Sequence, residues 1–209
     1  MLRYSTRIAS LFAAALLIGT VPALAGPPLL CHTFDIGDAR SLPWDGRNAW
    51  FQGRPDYDIR NVVADTEAIL TPSTPVLVRM ETLRRAALYA KAFEKKGHPR
   101  LGDELLARLQ ARALDAEAAG APDPLAWFDA GYFAASLREG ASRQQHGPAG
   151  YGWVLKALQA RGNDPEMELG AALIMSETPD RPGRHWPRAA AGSKTNPLLA
   201  RNLAARASR

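Results

Sequence analysis

The sequence predicts an all-α fold, an antiparallel helical-hairpin stack with an irregular N-terminal arm ahead of it. Three observations carry this. Between residues 75 and 176 apolar side chains recur at steps of three and four, the period of a helix with a buried face. Proline and glycine interrupt the pattern at intervals of roughly 15–25 residues, with capping residues on the entering side. No segment alternates apolar and polar residues long enough to form a strand. The composition agrees: 209 residues, 46% hydrophobic and 22% charged, describe one globular domain and exclude a collagen-like or wholly disordered chain. A chain of this length buries a sizeable core without covalent staples. Its single cysteine, Cys31, excludes an intramolecular disulfide framework and a multi-cysteine zinc site.

Residues 1–25 read as a signal peptide. Arg3 and Arg7 make a basic start, residues 8–19 are apolar and uncharged, and Pro22 breaks the run. Ala23-Leu24-Ala25 before Gly26 has the small-x-small order of a cleavage site, so cleavage is expected between Ala25 and Gly26. An uncleaved anchor is the alternative, but the apolar stretch falls short of the roughly 20 residues that span a bilayer. Bulky Leu30 beside Cys31, with Pro27-Pro28 ahead of it, argues against a lipid-bearing cysteine. No transmembrane segment is expected after cleavage. The expected product is periplasmic or secreted.

Residues 26–60 mix Trp44, Trp50, Phe51 and Tyr57 with turn formers such as Pro43, Gly46, Gly53 and Pro55. This reads as an irregular arm lying on the body, since a linker in solvent rarely carries so many rings. Residues 61–70 suit a short helix stopped by Thr71-Pro72. Thr74-Pro75 then caps a longer helix. Val76, Met80, Leu83, Ala87 and Ala90 descend one of its faces, Glu81 pairs with Arg85, and Lys95-Lys96-Gly97 ends it. The next helix starts near Pro99, carries Leu101, Leu105, Leu109 and Ala113, pairs Glu104 with Arg108 and stops at Gly120.

Asp123-Pro124 opens a helix that is apolar on two faces, Leu125/Phe128/Tyr132/Ala135 and Trp127/Ala130/Ala134/Leu137. Such a helix is sandwiched between neighbours. Another covers about residues 150–160 with Tyr151, Val154, Leu155 and Leu158. The last of the series opens on Asn163-Asp164-Pro165-Glu166, a cap, a first-turn proline and an acid at the positive helix end, and runs to Ile174. Residues 61–176 therefore form the helical domain.

Residues 177–209 read as a basic, partly disordered tail. Pro179, Pro182 and Pro187 among repeated Gly and Arg leave residues 178–196 little apolar surface to bury. Asn196-Pro197, followed by Leu198, Leu199 and Leu203, suits a short final helix. The chain's formal charge is +5, and residues 181–209 hold seven basic residues and no acid, so the body between leader and tail is net acidic. A fold built to track nucleic acid carries its cations on structured faces. No specific nucleic acid is expected as a partner, whereas the Arg-rich tail suits an anionic polymer or membrane surface.

Over about residues 124–170 the chain resembles the tetratricopeptide family. Trp127-x2-Ala130-Gly131 is similar to that family's first-helix signature. Lys156-Ala157-Leu158 followed by Asn163-Asp164-Pro165 is similar to its second helix and closing turn. The spacing is longer than the family's, the excess falling at residues 140–147, and the two earlier helices lack the signature. The resemblance implies α-solenoid-like stacked hairpins and a groove for a peptide or protein.

Few residues suggest chemistry. His32, Asp35 and Asp38, with Cys31, are of the types that bind a metal ion; the plainer reading is a loop whose carboxylates close turns. Cys31 and His32 are adjacent and point to opposite faces of an extended chain, so they do not form a nucleophile pair. His98 and His146 fall between helices next to Gly or Pro. Trp127, Phe128, Tyr132 and Phe133 sit at core spacing, with Trp127 and Tyr132 as candidates for lining a groove. Trp186, beside His185 in the tail, is a further candidate partner contact. No phosphate loop, nucleophile elbow, His-Glu-x2-His or haem motif is present. No catalytic residue, metal or cofactor is assigned.

The expected function is that of an exported, non-catalytic helical scaffold binding another exported or envelope protein. The alternatives are an enzyme with a metal-assisted site where the arm meets the helical body, around His32, Asp35 and Asp38, and surface binding through the tail.

Overall fold

Helix signals of this density give an all-helical chain. The computed structural model describes residues 32–45, 53–97, 100–138, 149–177, 179–180 and 182–207. The leader with its Ala25–Gly26 junction, Cys31, His98, His146 and residues 140–147 lie outside the described residues. The described helices are α1 (Val62–Ile69), α2 (Val76–Glu94), α3 (Leu101–Ala118), α4 (Pro124–Arg138), α5 (Ala149–Arg161), α6 (Pro165–Ile174), α7 (His185–Gly192) and α8 (Pro197–Ala207). Among the described residues the arm contributes a single antiparallel bridge, Trp44 to Gly53, and no strand.

Local chemistry sets the helix ends. Asp123 Oδ1 accepts from Leu125 N at 2.9 Å. Asp164 Oδ1 accepts from Glu166 N at 3.0 Å and Met167 N at 3.2 Å. Both satisfy amides that a first turn leaves unpaired. The start of α2 departs from expectation. Pro75 is the N-cap and no side chain caps it, because Thr74 Oγ1 instead donates to Ile69 O and closes the α1–α2 loop.

The doubly apolar α4 is buried along most of its length, with Phe128, Tyr132 and Phe133 fully enclosed. It packs on α5 with little between the backbones. A Cβ at Gly131 would lie 2.5 Å from Gly150 O, and one at Gly150 would lie 2.8 Å from Gly131 O.

The single buried face expected for α2 is corrected. Arg79, Glu81, Thr82 and Arg84 are buried along with the apolar residues, because the arm covers Glu81, Thr82 and Arg84 while α4 and the α1–α2 loop enclose Arg79. Arg79 Nη1 donates to Asp129 Oδ2 on α4, and Arg112 of α3 binds the same oxygen. Arg79 Nε donates to Thr74 O at 2.9 Å and Arg112 Nη1 to Leu70 O at 3.2 Å. One carboxylate thus fastens α2, α3 and α4 to the α1–α2 loop. Burial pushes the Asp129 carboxyl up to about 6, against the pull of both guanidiniums.

The disorder expected of residues 178–196 is likewise corrected, because residues 185–192 form α7. His185, Trp186 and Ala189 of α7 and Leu199, Asn202, Leu203 and Arg206 of α8 are buried. Glu177 Oε2 accepts from His185 N at 3.0 Å and Trp186 N at 2.7 Å, which seats the start of α7. The final helix does begin at Pro197. The apolar residues were sparse but fell on one face of each short helix, and that face found the core.

Candidate functional site

The most elaborate recognition of one segment by another lies where the arm crosses between α2 and α8. An extended stretch of chain presents an amide and a carbonyl at every residue, and burying them requires partners. Here the partners are side chains of helices far away in sequence. Glu81 of α2 accepts from Phe34 N at 3.0 Å. Asn202 of α8 grips the next residue from both sides, its Oδ1 accepting from Asp35 N at 2.9 Å and its Nδ2 donating to Asp35 O at 2.8 Å. Arg206 Nη2 donates to His32 O at 3.3 Å. The main chain of residues 32–35 is therefore read without reference to its side chains.

Side-chain contacts add selectivity. Phe34 is 3% exposed, and the Arg206 guanidinium carbon sits 3.9 Å from its ring centroid, a desolvated cation–π pair. Arg201 Nε donates to Asp35 Oδ2 at 2.6 Å, and Gly37 N donates to Asp35 Oδ1 at 2.9 Å. The Arg201 hydrogen bond, with the Gly37 amide, lowers the Asp35 carboxyl below its ordinary value. Farther along, Ser41 Oγ meets Thr82 Oγ1 at 2.9 Å, Leu42 is fully buried, and Arg85 Nη1 donates to Leu42 O.

Glu81 is fully enclosed and serves three partners at once. Besides Phe34 N, it accepts from Arg84 Nε and Nη2, and from Arg85 Nε, each at 2.7 Å. Arg84 in turn lies 4.8 Å from the centroid of Trp44. Trp44 packs edge-on against Tyr89 at 5.6 Å, and Tyr57 stands 4.8 Å from the same Tyr89. The rings of Trp44 and Tyr57 thus pack on α2, while Trp50 and Phe51 lie outside the described residues.

The structure brings His32 and Asp35 to this site through their backbones and the Asp35 carboxylate. Asp38 stays exposed at the adjoining turn. Among the described residues no group of three or more His, Cys, Asp and Glu side chains is placed to hold a metal ion, so His32, Asp35 and Asp38 are not gathered into a ligand set.

The groove-lining candidates Trp127 and Tyr132 and the partner-contact candidate Trp186 are core residues instead. Tyr132 is fully buried, Trp186 is buried, and Trp127 is 6% exposed with its Nε1 donating to Glu117 Oε1 at 2.9 Å. Lys156 Nζ covers the Trp127 ring at 4.1 Å and Trp153 packs at 6.0 Å. The site is built by Glu81, Asn202 and Arg206, which sequence spacing alone does not bring together. The one available signal was a polar residue on the apolar face of a helix, as Asn202 is between Leu199 and Leu203.

Two open depressions flank this architecture. One of about 290 Å³ is lined by Ala39, Arg40, Ile69, Ser73, Thr74 and Val78, where the arm leaves the groove. The other, about 510 Å³, lies between the start of α6 and the α7–α8 turn, at Asp164, Glu166, Gly192 and Asn196. No described helix is long and apolar enough to cross a membrane. Comparison with family models, with curated proteins and with solved structures gives no significant match to the chain.

Proposed function

We propose that the chain is an exported helical scaffold that binds an extended segment of another exported or envelope protein between α2 and α8. The observation that supports this is the double hydrogen bond from Asn202 to the amide and carbonyl of Asp35. A side chain that reads a main chain from both sides accepts any extended peptide of suitable shape. The arm occupies the groove as a ligand in cis. Its sequence describes the preferred guest, an aromatic residue followed by an acid, matched by Arg206 and Arg201. The leader read from residues 1–25 supplies the route to the periplasm or beyond, and a stack of helical hairpins is a common platform for peptide grooves.

Binding of an anionic surface by the tail has weaker support. Arg184, Arg188, Arg201 and Arg206 all engage groups within the fold.

The test uses the full mature chain carrying Phe34→Ala, which loosens its own arm, and a fluorescent peptide copying residues 32–42. Anisotropy should show saturable binding, weakened about tenfold or more by a further Asn202→Leu change, as expected for losing a pair of buried hydrogen bonds. No binding, or equal binding by both variants, would contradict the reading.

A further inference from the structure

A second constellation, unconnected with the groove, lies where α5, α6 and α7 meet. Glu168 of α6 and His185 of α7 are enclosed, and Glu168 Oε2 is hydrogen bonded to His185 Nδ1. Across the ring, His185 Nε2 lies 2.7 Å from Tyr151 Oη of α5. Arg184 Nε donates to the same Nε2 at 3.1 Å. A guanidinium N–H only donates, so Nε2 is the acceptor and the ring proton sits on Nδ1, facing the carboxylate. Tyr151 Oη therefore donates to Nε2, and it accepts from Arg184 Nη2 at 3.1 Å.

The rest of the cluster holds these groups still. The His185 backbone is pinned by Glu177, and Arg188 Nη1 donates to Glu168 Oε1 at 3.2 Å. Carboxylate, imidazole and hydroxyl in this order activate an otherwise weak oxygen nucleophile. Tyr151 is only partly covered and Arg184 is exposed, so a molecule reaching the hydroxyl meets a guanidinium. A planar guanidinium favours phosphoryl oxygens, which it can bind in pairs.

We propose that Tyr151 is the nucleophile of a group-transfer site for phosphoesters. Tyr151 Oη forms a bond to phosphorus while its proton passes to His185 Nε2. The phosphorus–oxygen bond to the leaving group breaks, and the leaving oxygen departs with the electron pair. Glu168 stabilises the imidazolium, and Arg184 turns from Nε2 to the phosphoryl oxygens. The product of this half-reaction is a phosphotyrosyl ester on the chain.

Two other described tyrosines serve as internal controls. Tyr57 donates to Asp65 and Tyr89 to Pro43 O, and burial raises both phenols above their ordinary value.

The experiment incubates the full chain with bis(p-nitrophenyl) phosphate and maps adducts by peptide mass spectrometry. An aryl phosphate ester should form on Tyr151, with release of p-nitrophenolate, about tenfold or more faster than on Tyr57 or Tyr89, the scale of modest general-base assistance. Tyr151→Phe keeps the ring and should abolish the adduct. Arg184→Ala, a surface change that leaves the fold intact by circular dichroism, should slow adduct formation about tenfold. Absence of an adduct on Tyr151, or formation at the same rate in Arg184→Ala, would overturn the proposal.

Discussion

Asn202 and Asp35 stand 167 positions apart in sequence and are joined by two hydrogen bonds, amide to Oδ1 at 2.9 Å and Nδ2 to carbonyl at 2.8 Å. The pair couples the first described segment of the chain to its last helix. Asn202→Leu leaves the Asp35 amide and carbonyl unpaired at a partly buried site, a loss of about 2 kcal/mol. Urea unfolding at neutral pH should show that loss. An unchanged midpoint would mean that water replaces the Asn202 amide without cost.

The last two helices are integral to the core. Trp186, Ala189, Leu199 and Leu203 are all buried, and full burial of a large apolar side chain is worth about 1.5–3 kcal/mol each. A chain ending at Ser176 is expected to melt far lower or to lose its cooperative transition. A melting temperature within a few degrees of the intact chain would restore the disordered-tail reading.

The contact between α4 and α5 is a backbone contact. Because Gly131 faces Gly150 O at 2.5 Å from where its Cβ would be, Gly131→Leu forces the helices apart and should cost about 1–3 kcal/mol. Trp127→Ala empties an enclosed position beside Trp153 and should cost about 3–5 kcal/mol. Both losses are read from denaturant midpoints. A Trp127→Ala variant of full stability would show that the ring is not core.

Burial raises the Asp129 carboxyl to about 6, while Arg79 and Arg112 draw it down. Arg79→Met removes one of those cations, so the folded-state value climbs further above the unfolded value of about 3.9. A carboxyl raised in the folded state favours folding below its unfolded value. That contribution is lost as pH rises through the folded value. Arg79→Met should therefore cost about 3–5 kcal/mol near pH 7.5, as for a broken buried ion pair, and less at pH 5. Equal costs at the two pH values would contradict the assignment.

Much of the fold was legible because helix signals are local. The apolar steps of α2 through α6, the Asp123 and Asp164 caps and the two-faced α4 all emerge within a few residues of sequence. The site was not legible, because it is built from pairs such as Glu81 with Phe34 N and Asn202 with Asp35, which only the fold brings together. Helical spacing pairs Glu81 with Arg85, four residues on. The pair exists, but the arm lies over it and makes the carboxylate a buried acceptor for Phe34 N as well, which no local spacing shows. The tail was legible in its final helix, α8, but its prolines and arginines hid α7, a short helix whose few apolar residues share a face.

The central claim, that the arm is a ligand held in a groove and leaves it without global unfolding, is tested most directly by amide hydrogen exchange at Phe34 and Asp35. A segment held by side-chain clamps opens locally, without global unfolding. These two amides should therefore exchange together, faster than the amides of the enclosed turns of α2 and α4, and faster still in Asn202→Leu. Exchange of Phe34 and Asp35 at the same rate as the core helices would show that the arm leaves only when the protein unfolds, and would contradict the account.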